Sequence, residues 1–166
     1  MIERTLVLLK PDAVQRGVMG RIISRFEDAG LKVIGAKMVW MDKDLGWKHY
    51  EDIGKVVSRR GEAVLKRLMK FMTSGPVLAM CLEGVGAVEI IRKMVGSTEP
   101  RAALPGTIRG DFAHISYAYA DSKELGVKNL VHASGNSEEA KLEVALWFKD
   151  NELHGYKSVH DIHILE

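Results

Sequence analysis

Three apolar runs set apart by amphipathic helical patterns, with a fourth short run just ahead of a histidine at a helix start, leave this 166-residue chain few ways to fold. Thr5-Leu6-Val7-Leu8-Leu9 is β-rich and apolar at nearly every position, which suits a central strand. Pro11 cannot donate to a ladder and keeps the residue before it extended, so Lys10 should end the strand and face a cleft. Met19, Ile22, Ile23 and Phe26 recur at helical spacing, and Gly30 can close that helix in the left-handed conformation. Residues 31–40 form the second strand, with lysines on a solvent face. From 41 to 72 the pattern is helical, broken at Gly54 and Gly61, with Val64, Leu65, Leu68, Met69 and Met72 as its later stripe. Ser74-Gly75-Pro76 is a turn and residues 77–82 are the third strand. Ala87, Ile90, Ile91 and Met94 make a further amphipathic helix ended by Gly96. This order predicts an α+β fold of the ferredoxin-like, split βαβ kind: a four-stranded antiparallel sheet with helices on one face, in a single domain over 1–166.

Composition narrows the partners. A formal net charge of +2 with both signs dispersed gives no electrostatic mandate for nucleic acid or membrane binding. No apolar run approaches the roughly 18 residues of a membrane span, and Met1-Ile2-Glu3-Arg4 is unlike a signal peptide. Cys81, the single cysteine, reads as a buried thiol in a reducing compartment, so a cytoplasmic protein is expected.

Candidate chemistry gathers around the stretch Asn129-Leu130-Val131-His132-Ala133-Ser134-Gly135-Asn136. Asn136 is a good N-cap and Glu139 can close a capping box, so a helix should begin just after His132 and aim its N–H groups toward it. Ala140, Val144, Trp147 and Phe148 form that helix's buried stripe, yet Glu143 falls in the same sector and needs a partner. His132 is the proposed partner: a carboxylate on one ring nitrogen fixes the tautomer and frees the other as a nucleophile. The competing reading is a hydrogen-bonded core histidine with Glu143 reaching solvent.

Lys10 at a strand end, Arg92 near a helix end, Thr98 and Arg109 in the loop 97–110, and Asn129 before the histidine could share a cleft and hold a polyphosphate. That loop contains Pro100 and Pro105, and a long ordered loop is more often functional than decorative. The pairs Arg59-Arg60 and Lys66-Arg67 read instead as a solvated face. Neither a Walker-type glycine-rich loop nor GxGxxG is present.

Three motifs in order, Lys10-Pro11-Asp12-Ala13-Val14-Gln15-Arg16-Gly17, Pro105-Gly106-Thr107-Ile108-Arg109-Gly110-Asp111-Phe112 and Asn129-Leu130-Val131-His132-Ala133-Ser134, resemble those of nucleoside diphosphate kinases. The resemblance runs from Thr5 through Leu146-Trp147-Phe148. It implies a ferredoxin-like fold and ping-pong transfer of a γ-phosphoryl group from a nucleoside triphosphate to a diphosphate through phosphohistidine at His132. It further implies that Lys10 and Asn129 meet the sugar, that Tyr50, Arg92, Thr98 and Arg109 surround the phosphates, and that Glu143 and Ser134 orient the imidazole. Magnesium would accompany the nucleotide with no metal ligand assigned to the chain itself, and a homo-oligomer is implied, a hexamer ahead of a tetramer or dimer.

Departures from the family pattern sharpen the expectations. Gly135 stands where a carboxylate is usual, which removes a group expected to help place magnesium through water and bears on the metal affinity. The aromatic residue that family members stack on the base is missing, with Val64 as its nearest match and Leu68 following. One insertion lies between Tyr50 and Phe71, and another around residues 114–120, where Tyr117 or Tyr119 could supply the absent ring. These changes leave an alternative, a catalytically weak nucleotide-binding interaction protein of the same fold. Arg109-Gly110-Asp111 reads as part of the loop rather than an adhesion signal, His160 and His163 as a polar tail rather than a metal pair, and no RNA-binding signature accompanies the fold.

Overall fold

The computed structural model describes residues 1–165. Its strands are β1 (Ile2–Leu9), β2 (Lys32–Val39), β3 (Val77–Val85) and β4 (Val131–Ala133), antiparallel in the order β2-β3-β1-β4. The α-helices are α1 (Pro11–Gln15), α2 (Met19–Asp28), α3 (Lys43–Trp47), α4 (Val56–Arg60), α5 (Glu62–Met72), α6 (Ala87–Val95), α7 (Ile108–Phe112), α8 (Tyr117–Ser122) and α9 (Ser137–Trp147). A π-helical segment, Lys48–Ile53, continues α3. The expected strand–helix order is therefore present, and α2 and α6 end at Gly30 (φ +80°) and Gly96 (φ +83°), where the positive φ suits glycine.

One expectation changes. Helices were anticipated on one face of the sheet, but both faces are covered. Val7 and Leu9 of β1 pack with Ile22 and Phe26 of α2 and Ile91 and Val95 of α6. Leu6 and Leu8 point the other way, into a second core with Leu65 and Met72 of α5 and Val144 and Trp147 of α9. Successive strand residues face opposite sides, so a strand apolar at every position requires two cores.

Register then fixes the site. On β4, His132 pairs with Leu8 while Val131 and Ala133 pair with Leu9 and Val7. Residues directly opposite on neighbouring strands share a face, so His132 emerges on the side of Leu8, beneath α9 and the π-helical segment.

Two further details differ from sequence expectation. The loop 97–110 gives way to α7, because the Thr107 Oγ1 accepts the Gly110 N–H and caps a short helix. The insertion near 114–120 folds into α8, capped in the same way by Ser116.

Candidate active site

His132 sits at the strand-to-helix junction with its side chain 20% exposed. Its Nε2 lies 3.0 Å from both carboxylate oxygens of Glu143, which is buried on α9. Ser134 Oγ donates to Glu143 Oε2 at 2.6 Å and accepts the Leu6 N–H at 3.2 Å. Burial pushes the Glu143 carboxyl up, but the charge and hydrogen bond of His132, with His49 and Ser134, outweigh it and hold it at about 2. An ionised carboxylate accepts hydrogen bonds only, so Nε2 carries a proton, and in the neutral form of the ring it is Nδ1 that keeps the lone pair.

The helix start is built as expected in one half. Asn136 Oδ1 accepts the N–H groups of Glu138 and Glu139. The reciprocal half of the capping box is displaced by one residue: Glu139 Oε2 accepts the Gly135 N–H at 3.2 Å. These bonds occupy N–H groups expected to face an anion, so attraction for phosphate comes from side chains instead.

Those side chains line one cleft of about 640 Å³ that contains Lys10, Tyr50, Val64, Leu68, Arg92, Thr98, Arg109, Asn129, His132 and Glu143. Lys10 Nζ donates to Asn129 Oδ1 at 2.7 Å, and Asn129 Nδ2 donates to the Thr98 carbonyl at 2.8 Å. Burial, reinforced by the nearby Arg109, lowers the Lys10 ammonium to about 7. Arg109 donates to the carbonyls of Asn129, Gly96 and Val131, which leaves two of its five N–H groups for a ligand. Burial lowers its guanidinium to about 10. Arg92 and Thr98 are exposed in the cleft, while Ser134 lies behind Glu143. The Tyr50 ring lies edge-to-face with its neighbours, its centroid 4.5 Å from that of His49 and 6.2 Å from that of His132, and its hydroxyl is buried without a partner.

Matching these motifs to known proteins decides the family. The nucleoside diphosphate kinase family model matches residues 3–153. The chain belongs to the nucleoside diphosphate kinase family. A nucleoside diphosphate kinase of Borreliella burgdorferi is 46% identical, covering 95% of this chain and 93% of its own length. That of Pyrococcus horikoshii is 48% identical, covering 96% and 93%. The solved transition-state mimic of the Borrelia burgdorferi nucleoside diphosphate kinase with vanadate and ADP superposes at a TM-score of 0.94, with 44% identity over 98% of this chain and 96% of that one. A halophilic nucleoside diphosphate kinase from Halobacterium salinarum in complex with CDP gives 0.85 at 37% identity, covering all of both chains.

Several cleft residues of this nucleoside diphosphate kinase escaped sequence reasoning. Arg59, Arg60 and Arg67, expected on a solvated face, line the cleft. Glu139 lines it too, paired with Arg59 at 3.1 Å. His49 is buried edge-on to His132, ring centroids 4.5 Å apart. The Trp147 indole donates to its Nδ1 at 3.2 Å, and burial, with the charge of His132, lowers its imidazole to about 3. A neutral histidine beside Tyr50 in the sequence gave only an aromatic signal. His49, His132 and Glu143 form the three-member group of potential metal ligands among the described residues. His49 and His132 each spend a ring nitrogen on Trp147 or Glu143, which favours a proton-ordered triad over an ion. Of the two insertion tyrosines, Tyr117 lines the cleft, while Tyr119 is 56% exposed and does not.

Proposed function

We propose that this nucleoside diphosphate kinase transfers the γ-phosphoryl group of a nucleoside triphosphate to a nucleoside diphosphate through Nδ1 of His132. The observation that carries this is the His132–Glu143 pair: Nε2–H is held by an ionised carboxylate, so the Nδ1 lone pair is free beside Lys10, Arg92 and Arg109. In the first half-reaction that lone pair attacks the γ-phosphorus, an N–P bond forms, and the bond to the β-phosphate oxygen breaks. The diphosphate leaves with the electron pair. Phosphorylation makes the ring cationic, and Glu143 stabilises the charge without taking the Nε2 proton. A second diphosphate then attacks the phosphorus, the N–P bond breaks and neutral His132 returns. Arg92, Arg109 and Lys10 hold charge on the phosphoryl oxygens during in-line displacement, while Lys10 and Asn129 face the sugar.

Magnesium fits this cleft. Glu139 Oε2 stands where a side chain on Gly135 would project, since a Cβ there would meet it at 2.5 Å. Glu139 is thus the carboxylate suited to orient water around a nucleotide-borne magnesium, which would neutralise phosphate charge. The exposed Met38 and Trp40 at the end of edge strand β2 support homo-oligomeric assembly; ranking a hexamer ahead of a tetramer or dimer rests on the family resemblance alone. The buried free thiol of Cys81 fits a cytoplasmic enzyme. No described helix is long and apolar enough to cross a membrane. The two cores share one sheet, which supports residues 1–166 acting as a single domain.

Incubation with γ-labelled ATP and then GDP tests the mechanism. Acid-labile, alkali-stable label on the protein should pass to GDP and be absent in His132→Ala. Nucleotide binding without labelling would leave only the interaction-protein reading, against which the intact His132, Glu143, Lys10 and Arg109 already weigh.

A further inference from the structure

Helix α8, the insertion ahead of the active-site strand, touches both walls of the cleft. On one side it is fixed to the loop that carries Thr98. The Tyr117 N–H donates to Glu99 Oε1 at 2.8 Å, the Arg101 N–H donates to the Ile115 carbonyl at 3.2 Å, and Ala120 is fully buried. That loop is itself tied to the site, because Asn129 Nδ2 donates to the Thr98 carbonyl.

The same helix reaches the opposite wall, made by α4 and α5. Arg67 of α5 pairs with Asp121 at 2.9 Å. Arg60 of α4 donates to the Tyr117 hydroxyl at 3.2 Å, with its guanidinium over the ring. Just after α8, Gly126 comes so near α5 that a Cβ there would meet the Phe71 Cβ at 2.9 Å and the Arg67 carbonyl oxygen at 3.0 Å. Only a residue without a side chain permits that approach.

The α4–α5 wall needs such support. Helix α4 has five residues, none of them buried, and lies between Lys55 (φ +51°) and Gly61 (φ +90°), two left-handed positions that interrupt the helices. A segment with so little burial opens at low cost, and a wall that wanders must be ordered again by whatever binds against it. The Arg67–Asp121 pair is partly exposed and weak alone, but it acts on the same unit as the Arg60 contact and the Gly126 approach.

Building on the phosphotransfer reading, we propose that α8 is a brace in which Asp121 is a positioning residue: through Arg67 it holds the α4–α5 wall in place over the cleft before a nucleotide arrives. Its effect falls on nucleotide affinity. Transfer at His132, which Asp121 does not touch, keeps its rate.

Asp121→Ala tests this, since it keeps a good helix former in α8 and removes the acceptor for Arg67. It also removes a negative charge beside the cleft, so attraction of a polyphosphate alone would tighten binding, whereas loss of the brace loosens it. Calorimetry on the full chain should show the Kd for ADP rising about fivefold. Hydrogen exchange should quicken at the amides of residues 56–72 while those of β1 and α9 keep their protection. The saturating rate of His132 labelling by ATP should stay within about twofold of wild type. Charge exchange isolates the pair: Arg67→Asp alone should weaken ADP binding about tenfold, and adding Asp121→Arg should bring the Kd back to within about threefold of wild type. An unchanged or lower Kd in Asp121→Ala overturns the proposal, as does a lost labelling rate at unchanged Kd, or a double variant that binds no tighter than Arg67→Asp. Wild-type protein that binds ADP yet takes no label from ATP would instead sink the phosphotransfer reading, and the Kd and exchange results would still judge the brace.

Discussion

Glu143 holds both carboxylate oxygens 3.0 Å from Nε2 of His132 while only 1% of its own surface is exposed. Replacing the acid by an amide of the same shape removes the charge that fixes the tautomer and offsets the cationic ring. In Glu143→Gln the single-turnover rate of His132 phosphorylation should fall on the order of a hundredfold. Rapid-quench labelling would measure it, and a loss below threefold would mean Glu143 serves packing alone.

Lys10 makes nucleotide binding proton-linked. Burial lowers its ammonium from the ordinary 10.5 to about 7, so at pH 8 the free enzyme holds it mostly neutral. An arriving polyphosphate favours the charged form, so the Lys10 contribution to proton uptake on ADP binding is large at pH 8 and small at pH 6. Calorimetry in buffers of different ionisation enthalpy reads this uptake directly. Lys10→Met should abolish that part of the uptake. Folding shows the matching sign: the native state binds fewer protons between pH 7 and 10.5, so Lys10 makes stability rise with pH across that window.

Glu139 gives the third prediction. If its carboxylate orients the water around magnesium, Glu139→Gln should raise the magnesium concentration for half-maximal labelling about tenfold. Arg59→Ala leaves the carboxylate in the cleft and should not raise it. Titration of magnesium against a fixed ATP concentration separates the two, and equal effects would assign the role to the Arg59–Glu139 ion pair instead.

Sequence spacing exposed the site where chemistry and periodicity disagreed, and hid it where they agreed. Glu143 stood out as an acid on an apolar stripe, and its partner followed from the need to satisfy a buried carboxylate. Lys10 was marked by the proline that ends its strand. Arg60 and Arg67 were invisible because an arginine on an amphipathic helix has the same spacing whether it faces water or a cleft. Only the approach of α8, through contacts 57 and 54 residues apart in sequence, turns them inward. The second helical layer was written in β1, whose unbroken apolar run demands two buried faces, but which helices supply them is a matter of tertiary packing.

Asp12 ties the first motif to the last. Its Oδ2 accepts the N–H of Leu130 at 3.0 Å, and the Leu130 carbonyl accepts the Lys10 N–H at 2.8 Å. Leu130 is held at φ +68°, a conformation that disfavours a side chain and persists only when its surroundings enforce it. Asp12→Ala strips the buried Leu130 N–H of its acceptor and should cost about 1–3 kcal/mol in urea unfolding. Asp12→Asn keeps an oxygen in place and should cost less. Both remove the negative charge that raises the Lys10 ammonium, so both should move the midpoint of nucleotide-linked proton uptake below pH 7. A variant that loses stability with no change in that midpoint would show that Asp12 acts on the backbone of Leu130 alone.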